Sequence, residues 1–302
     1  VEKMSGMSFE DYISTNFFVP LSMINSTYYK PNNNQVLTTT YINGEPQNYQ
    51  AVIYRAVGAL NSSPADMTNL LQFFIQQGEI SERDLISKAS LQRMQTPTTT
   101  LGSVQGITAG YGITNYTSGF RNYHTAFHGH DGSVNGALTS FAYVPKLKSG
   151  YVVMSSGSDG AMRPIVNLIR EYLLRNTKAD DGRVVVLPNA FKELSGYYKK
   201  VNPRNKWDEI YNNLFKYITF SHDDSNLYSV PLLGGKPRLA YAINENLLLN
   251  ASTGLPSIAF VNDPIVGQAI QVDSNLYIAV SKFNVWAKLL LVITVTASTL
   301  AS

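Results

Sequence analysis

The feature that most limits the fold of this chain is a change of pattern near residue 176. Before it, apolar residues recur at the three- and four-residue spacing of amphipathic helices, with a few strand-like runs between them. From 194 to 280, short Tyr-rich and Val-rich runs alternate with clusters of Asn, Asp, Gly and Pro, as in an antiparallel sheet or small barrel. Residues 176–183 are polar and typical of a linker. We therefore predict an α+β domain at residues 1–177 and a small antiparallel β domain at residues 184–280.

The composition of the chain excludes several classes of function. Its 24 Lys and Arg residues nearly balance 21 Asp and Glu, and the net charge of +3 is dispersed, so no basic stripe exists that could follow a phosphate backbone. We expect no nucleic acid partner. The absence of Cys removes disulfides, thiolate zinc sites and a cysteine nucleophile. A hydrophobic content of 44% in 302 residues is enough to build a sizeable core.

Capping residues mark where helices begin. Ser8 precedes Asp11 by three residues, and Ser63 stands before a Pro and an acidic residue, Asp66; both patterns are typical of helix N-termini. The apolar residues that follow keep helical spacing, whereas the β-branched and aromatic runs farther along favour strands. Helices are thus predicted at residues 8–18, 63–78, 87–94 and 162–173, and strands at residues 110–116, 137–144 and 150–155.

Two further segments stand out. Residues 32–49 are rich in Asn, Thr, Gly and Pro without helical spacing, which predicts a long surface excursion of the kind that borders binding clefts. Residues 289–301 carry no charge, but this run is shorter than the roughly 20 residues that cross a bilayer. It is either a buried terminal strand or helix, or the start of a transmembrane helix at residues 285–302 with Trp286 at the interface. The second alternative, which we favour, predicts membrane anchoring through the C-terminal segment.

The segment with the clearest chemistry is residues 127–136, which pack two His and three Gly between two strand-like runs. Glycines let a backbone approach a ligand closely, and a His beside exposed N–H groups can help to hold a carboxylate or oxyanion. On these residues alone, an ordinary turn or a metal site are alternatives. No Cys or acidic ligand stands at metal spacing, so we predict neither a metal nor a cofactor.

This segment carries a resemblance to a known family. Gly-His-Asp-Gly at 129–132, followed by Val-Asn-Gly at 134–136, resembles the His-x-Gly form of the third motif of serine beta-lactamases and penicillin-binding proteins. Other segments resemble the same family in the same order: residues 5–13 with 20–23, residues 59–67, and Tyr-Gly at 111–112.

The resemblance implies a fold and an incomplete domain. Residues 1–177 would be the C-terminal part of a beta-lactamase-like serine hydrolase domain, an antiparallel sheet with packed helices in an incomplete beta-lactamase/transpeptidase-like fold. The β-rich residues 184–280 resemble the lipocalin-like domain that some relatives carry.

The resemblance also implies roles for four consecutive residues. The family forms an acyl-enzyme on beta-lactam, D-alanyl peptide or ester substrates. His130 would take the place of the Lys or His that binds the substrate carboxylate and tunes proton transfer, and Gly132 would permit close approach. The N–H of Ser133 would be one of two oxyanion donors, so the predicted catalytic residues are His130 and Ser133. Asp131 completes the substrate-binding stretch; it departs from the family's usual small residue, which leaves the substrate open.

One element of the family is missing from the sequence. No Ser-x-x-Lys nucleophile motif occurs anywhere, and the matches to the second motif at 41–43, 133–135 and 211–213 stand downstream of its family position. Lys-Ser-Gly at 148–150 imitates the third motif, but we interpret it as a turn. The chain alone is therefore expected to be inactive, within a parent hydrolase acting outside the cytoplasm on a small-molecule or peptide substrate. The alternative is a non-catalytic binding or interaction protein on a degenerate hydrolase fold.

Overall fold

The computed structural model describes residues 1–30, 37–80, 83–157, 160–178, 186–203 and 205–301. The predicted domain start at residue 184 and most of the predicted linker lie outside these residues. The chain divides into two compact units. The first unit comprises Val1–Gln95, Ile113–Tyr116 and Phe127–Thr177, and the second comprises Thr96–Gly112, Thr117–Ala126 and Lys178–Ser302.

Secondary structure elements are numbered in chain order. The helices of the described residues are α1 (Glu2–Ser5), α2 (Phe9–Ile13), α3 (Arg55–Gly58), α4 (Pro64–Ile75), α5 (Lys88–Gln95), α6 (Leu101–Val104), α7 (Met162–Leu174), α8 (Asn189–Lys192), α9 (Lys206–Phe215) and α10 (Lys282–Ala301). A π-helix, Ser14–Phe18, continues α2, and a 3-10 helix covers Pro145–Leu147. The strands are β1 (Thr40–Ile42), β2 (Glu45–Gln47), β3 (Glu79–Ile80), β4 (Arg83–Asp84), β5 (Gly110–Tyr111), β6 (Tyr116–Ser118), β7 (Phe127–Val134), β8 (Ala137–Val144), β9 (Ser149–Ser155), β10 (Tyr197–Lys200), β11 (Tyr217–His222), β12 (Asn226–Pro231), β13 (Arg238–Asn244), β14 (Leu247–Asn250), β15 (Leu255–Asp263), β16 (Gly267–Val272) and β17 (Asn275–Val280).

The helices of the first unit begin at the caps that the sequence predicts. The Ser8 hydroxyl accepts the N–H of Asp11 at 3.1 Å, and the Ser63 hydroxyl accepts the N–H of Asp66 at 3.2 Å. Each bond satisfies one of the amides that a helix N-terminus leaves without a partner. The predicted helix at 8–18 is α2 with its π-helical continuation.

Asp66 also ties α4 to the loop that follows the π-helix. Its buried carboxylate accepts the N–H of Asn25 at 2.7 Å, the hydroxyl of Ser26 at 2.8 Å and the hydroxyl of Ser63 at 3.1 Å. Asp11 holds the same position in α2, but it is exposed. Asp66 is thus both part of a helix cap and a tertiary contact.

The sheet of the first unit is built on a hairpin and a third strand. β8 pairs antiparallel with β7 on one side and with β9 on the other, and the register is regular throughout. Asn135 and Gly136 form the two-residue turn between β7 and β8, with φ of 42° and 87°. Positive φ at both positions is what a type I′ hairpin turn requires, and Asn-Gly is the pair that adopts it most readily.

Helices cover both faces of this sheet. On one face, Leu71 of α4 packs on Phe141 and Tyr143 of β8. On the other face, Arg170 of α7 donates to the hydroxyl of Tyr151 at 2.9 Å, and its guanidinium lies 4.7 Å from the ring centroid of Phe127. The Phe127 side chain is fully buried at this contact.

One predicted strand is interrupted. Only residues 110–111 and 116 of the predicted strand at 110–116 are in strands, β5 and β6. In between, the N–H of Ile113 donates to the carbonyl of Arg93, and the N–H groups of Thr114 and Asn115 donate to the carbonyl of Met94. These carbonyls belong to the last turn of α5, which has no intrahelical donors for them. The amides of 113–115 are thus used to cap a helix rather than to continue a strand.

The second unit contains a closed eight-stranded antiparallel barrel, β10 to β17 in sequential order, with β10 paired to β17. Its interior is filled by a cluster that includes Phe191, Phe220 and Leu248. The α+β fold with a following small β domain is thus confirmed, and the β domain is a complete barrel. Among the described residues, no helix is both long and apolar enough to span a bilayer.

A buried polar network supports β7 and β8. His128 and Tyr143 are cross-strand partners with ring centroids 5.9 Å apart. Burial lowers the pKa of His128 to about 4, although a hydrogen bond with the backbone of Gln95 works in the opposite direction. The Tyr143 hydroxyl accepts from the Asn115 amide at 2.8 Å and donates to the Gln95 side-chain oxygen at 3.0 Å, and burial raises the pKa of Tyr143. His128 is therefore neutral at pH 7 and part of the core.

We predict that Asp66→Ala lowers the free energy of unfolding by about 2–4 kcal/mol, because it removes the buried acceptor of three part-buried hydrogen bonds. Asp11→Ala is the matched control, since it alters an exposed residue at the same helix position, and should cost less than about 1 kcal/mol. Urea unfolding of both variants measures the difference. Equal losses would contradict the tertiary role of Asp66.

A second prediction concerns pH. Because the pKa of His128 is lower in the folded than in the unfolded chain, its contribution to stability is complete above about pH 6.5 and is lost as the pH falls toward 4. The loss should be on the order of 2 kcal/mol. Urea unfolding at pH 7 and pH 5 should show a smaller pH effect in His128→Gln than in the wild type, and no change of the pH effect in His222→Gln, an exposed histidine. Identical pH effects in all three proteins would refute this assignment.

Candidate functional site

The four predicted site residues are consecutive and exposed on β7. His130, Asp131, Gly132 and Ser133 are all exposed, whereas Gly129 immediately before them is buried. A strand of a packed sheet usually alternates buried and exposed residues. Here the alternation stops at residue 130, so that one stretch of backbone and all of its side chains are open to solvent.

The register of the hairpin places these residues on two faces. His130 is paired with Phe141 and therefore lies on the face that carries α4, as does Gly132. Asp131 and Ser133 lie on the opposite face, together with Phe127. The structure thus brings the four residues together along one strand but does not converge their side chains on a single point.

The hydrogen bonding of His130 defines its tautomer. Nδ1 of His130 lies 2.6 Å from the carbonyl oxygen of Asp131. A carbonyl can only accept, so Nδ1 donates and, in the neutral ring, Nε2 is the acceptor. An acceptor at Nε2 can take a proton from a reacting group, and a protonated ring can hold an anion.

The space available for a side chain differs among the three glycines of residues 127–136. A Cβ on Gly129 would stand 1.9 Å from the carbonyl oxygen of Phe141, so the neighbouring strand excludes any side chain there. Gly136 has positive φ, and a Cβ would meet the carbonyl of Tyr41 at 2.6 Å. At Gly132 the nearest atom is the Cβ of Thr139 at 3.7 Å, an ordinary contact. The chain itself therefore requires glycine at 129 and 136, but not at 132.

The backbone of Ser133 has a defined direction. In a hairpin with a two-residue turn, the residues that flank the turn, Val134 and Ala137, form a hydrogen-bonded pair. Hydrogen-bonded and non-hydrogen-bonded pairs alternate along an antiparallel ladder, so Ser133 and Leu138 form a non-hydrogen-bonded pair. The N–H of Ser133 therefore points away from β8.

The tip of the hairpin is held by part of the predicted surface excursion. The Thr40 hydroxyl donates to the carbonyl of Asn135 at 2.7 Å, and the side-chain amide of Asn135 donates to the carbonyl of Asn48 at 2.8 Å. Residues 32–36 of that excursion lie outside the described residues. The bonds fix the end of β7 next to the exposed stretch.

Two other features bear on the site. Within the ranges that the structure describes, no group of three or more His, Asp or Glu could hold a metal ion. Lys148 has φ of 47° and follows the 3-10 helix Pro145–Leu147. The Lys-Ser-Gly sequence at 148–150, which resembles the third motif, therefore lies at the turn into β9. Sequence reasoning missed the network around Tyr143, because its partners Asn115 and Gln95 come from separate segments with no common motif.

Comparison with known proteins identifies the family. The Beta-lactamase family model matches residues 1–174. No curated protein shows a significant match. Among solved structures, the octameric penicillin-binding protein homologue from Pyrococcus abyssi is 20% identical, with a TM-score of 0.44 over 92% of this chain and 61% of that one. SurE with D-Leu is 16% identical, with a TM-score of 0.44 over 92% of this chain and 64% of that one.

A third solved structure is D-amino acid amidase from Ochrobactrum anthropi SV3 complexed with D-phenylalanine, which is 15% identical with a TM-score of 0.45 over 57% of this chain and 56% of that one. The chain thus spans less than two thirds of the length of each of these proteins. The family model, however, matches more than half of the chain. The match includes α4, β7, β8, β9 and α7. The protein belongs to the Beta-lactamase family.

Proposed function

We propose that residues 1–177 form one wall of the active site of a serine hydrolase that acts through an acyl-enzyme. The observation that carries the proposal is the continuous exposure of His130–Ser133 on a strand whose hairpin is otherwise packed against helices. The family membership supports hydrolase chemistry, and the absence of Ser-x-x-Lys from the sequence means that the nucleophile would come from residues outside these 302.

The geometry of β7 is consistent with three roles in this chemistry. His130 would bind the substrate carboxylate or accept a proton through Nε2, because Nδ1 is engaged by the carbonyl of Asp131. Gly132 would let the substrate lie against the backbone, since nothing inside the chain requires a glycine there. The N–H of Ser133, directed away from β8, would be one of the two oxyanion donors.

The substrate class remains a beta-lactam, a D-alanyl peptide or an ester in this proposal. Asp131 lies on the opposite face from His130, so its carboxylate would not repel a substrate anion at His130 directly. An extracytoplasmic location is part of the same proposal, because the named peptide and beta-lactam substrates belong to the cell wall chemistry of this family.

We expect His130→Ala to lower kcat/KM of the full-length gene product about 10- to 100-fold, because a group that binds the substrate or moves its proton is lost while an exposed position leaves folding intact. Nitrocefin, a D-alanyl peptide and a p-nitrophenyl ester serve as substrates. The matched control is His222→Ala: His222 is also exposed and also contacts the carbonyl of the next residue through Nδ1, at 3.3 Å.

Two outcomes would overturn the proposal. Equal kinetics for His130→Ala and the wild type would move the site elsewhere. A full-length gene product that turns over none of the three substrates and forms no adduct with a fluorescent penicillin would favour the non-catalytic alternative.

The glycines provide an independent test. Gly132→Ala should leave the melting temperature within about 2 °C of the wild type, because the added Cβ has room, yet lower turnover by obstructing the substrate. Gly129→Ala should lower the free energy of unfolding by about 1–3 kcal/mol, since the Cβ collides with the carbonyl of Phe141. A Gly132→Ala enzyme with unchanged kinetics would show that no ligand approaches there.

A further inference from the structure

A cavity lies at one end of the barrel. It has a volume of about 610 Å³ and is lined by the end of β10, the end of β12 and the start of β17, among others. Consecutive strands of an up-and-down barrel run in opposite directions, so these segments all meet at the same end. The helix α9, which connects β10 to β11, contributes Tyr211 and Phe215 to the lining.

Two cationic residues face the inside of the barrel at this end. Arg238 is the cross-strand partner of Ser229, which is buried, and Lys200 is the partner of Tyr277, which packs on the interior cluster. Directly paired residues of an antiparallel ladder share a face. Arg238 and Lys200 are therefore on the interior face, where a barrel without a polar ligand ordinarily places apolar side chains.

The charge of the cavity is one-sided. A third cation, Lys216, also lines it and lies 5.2 Å from the ring centroid of Tyr211. None of the described residues that line the cavity is acidic. The carboxylate of Asp273 pairs with Arg238 at 3.2 Å from outside the lining and orients the guanidinium without offsetting all three positive charges.

Below the cations the cavity ends on the packed interior of the barrel. Ile218 and Val272 line its wall next to Tyr277, and the barrel beneath is filled by residues of the interior cluster such as Phe220 and Ile270. A long chain could not pass through this floor. The volume falls within the range of sites for small organic molecules, and polar and apolar surface contribute about equally to the lining.

We propose that this end of the barrel binds a small organic anion with an aromatic or short aliphatic body. Arg238 and Lys200 hold its charged head, since a guanidinium and an ammonium bind carboxylate, sulfonate or phosphate oxygens through charge-assisted hydrogen bonds. Tyr211, Phe215 and Val272 contact its body. The site is independent of the proposed hydrolase function, because every residue that forms it belongs to the second unit.

The test uses the 302-residue chain and two dyes that differ by one charged group, anilinonaphthalene sulfonate and the neutral anilinonaphthalene. Fluorescence titration gives the Kd of each. Arg238→Met and Lys200→Met should each raise the Kd of the sulfonate about 10-fold and that of the neutral dye less than about 3-fold. Lys192→Met, on α8 and outside the lining, should change neither. Benzoate should displace the sulfonate, and benzyl alcohol should not.

The proposal is wrong if Arg238→Met and Lys200→Met bind the sulfonate as tightly as Lys192→Met does. It is also wrong if they lose the same affinity for both dyes. Thermal unfolding followed by circular dichroism accompanies each variant. Should Arg238→Met unfold because Asp273 loses its partner, Lys200→Met alone decides, since Lys200 has no described ion pair.

Discussion

The two-residue turn at Asn135 and Gly136 is the constraint on which the first unit depends. Because only this turn joins β7 to β8, it sets their register, and the register decides which residues of β7 face α4 and which face α7. A shift by one residue would turn Phe127 toward the face of α4 and His128 toward the face of α7. The hydrogen bonds of Asn135 and Thr40 hold the turn in place from outside.

This register gives different surroundings to two histidines that stand two residues apart on the same face. His128 is enclosed beside Tyr143, and burial keeps it neutral. His130 is open to solvent. The family motif in the sequence singles out His130 but gives no role to His128. The packing beside Tyr143 shows that His128 supports the sheet.

Local signals in the sequence account for much of the fold. The start of α4 is predictable because Ser63 and Asp66 cap it through bonds within four residues, and the β8 strand and the α7 helix follow from periodicity. Long-range contacts account for the elements that the sequence did not predict correctly. The amides of 113–115 turn to the end of α5, and residues 96–112 join the barrel, where the N–H of Gly102 donates to Gln271 at 2.7 Å. Neither partner is visible from the residues next to it. The motif at 130–133 could be recognised in the sequence, whereas the open space at Gly132 is seen only from the position of Thr139 in the structure.

The open space at Gly132 has a practical consequence, because the sequence contains no cysteine. A Gly132→Cys variant would carry a single thiol, and its Cβ would be accommodated without moving the neighbouring strand. A nitroxide or fluorophore attached there would be the sole label on the molecule. Its mobility would then report directly whether anything comes to rest against this part of β7, without any need to know beforehand which compound it is.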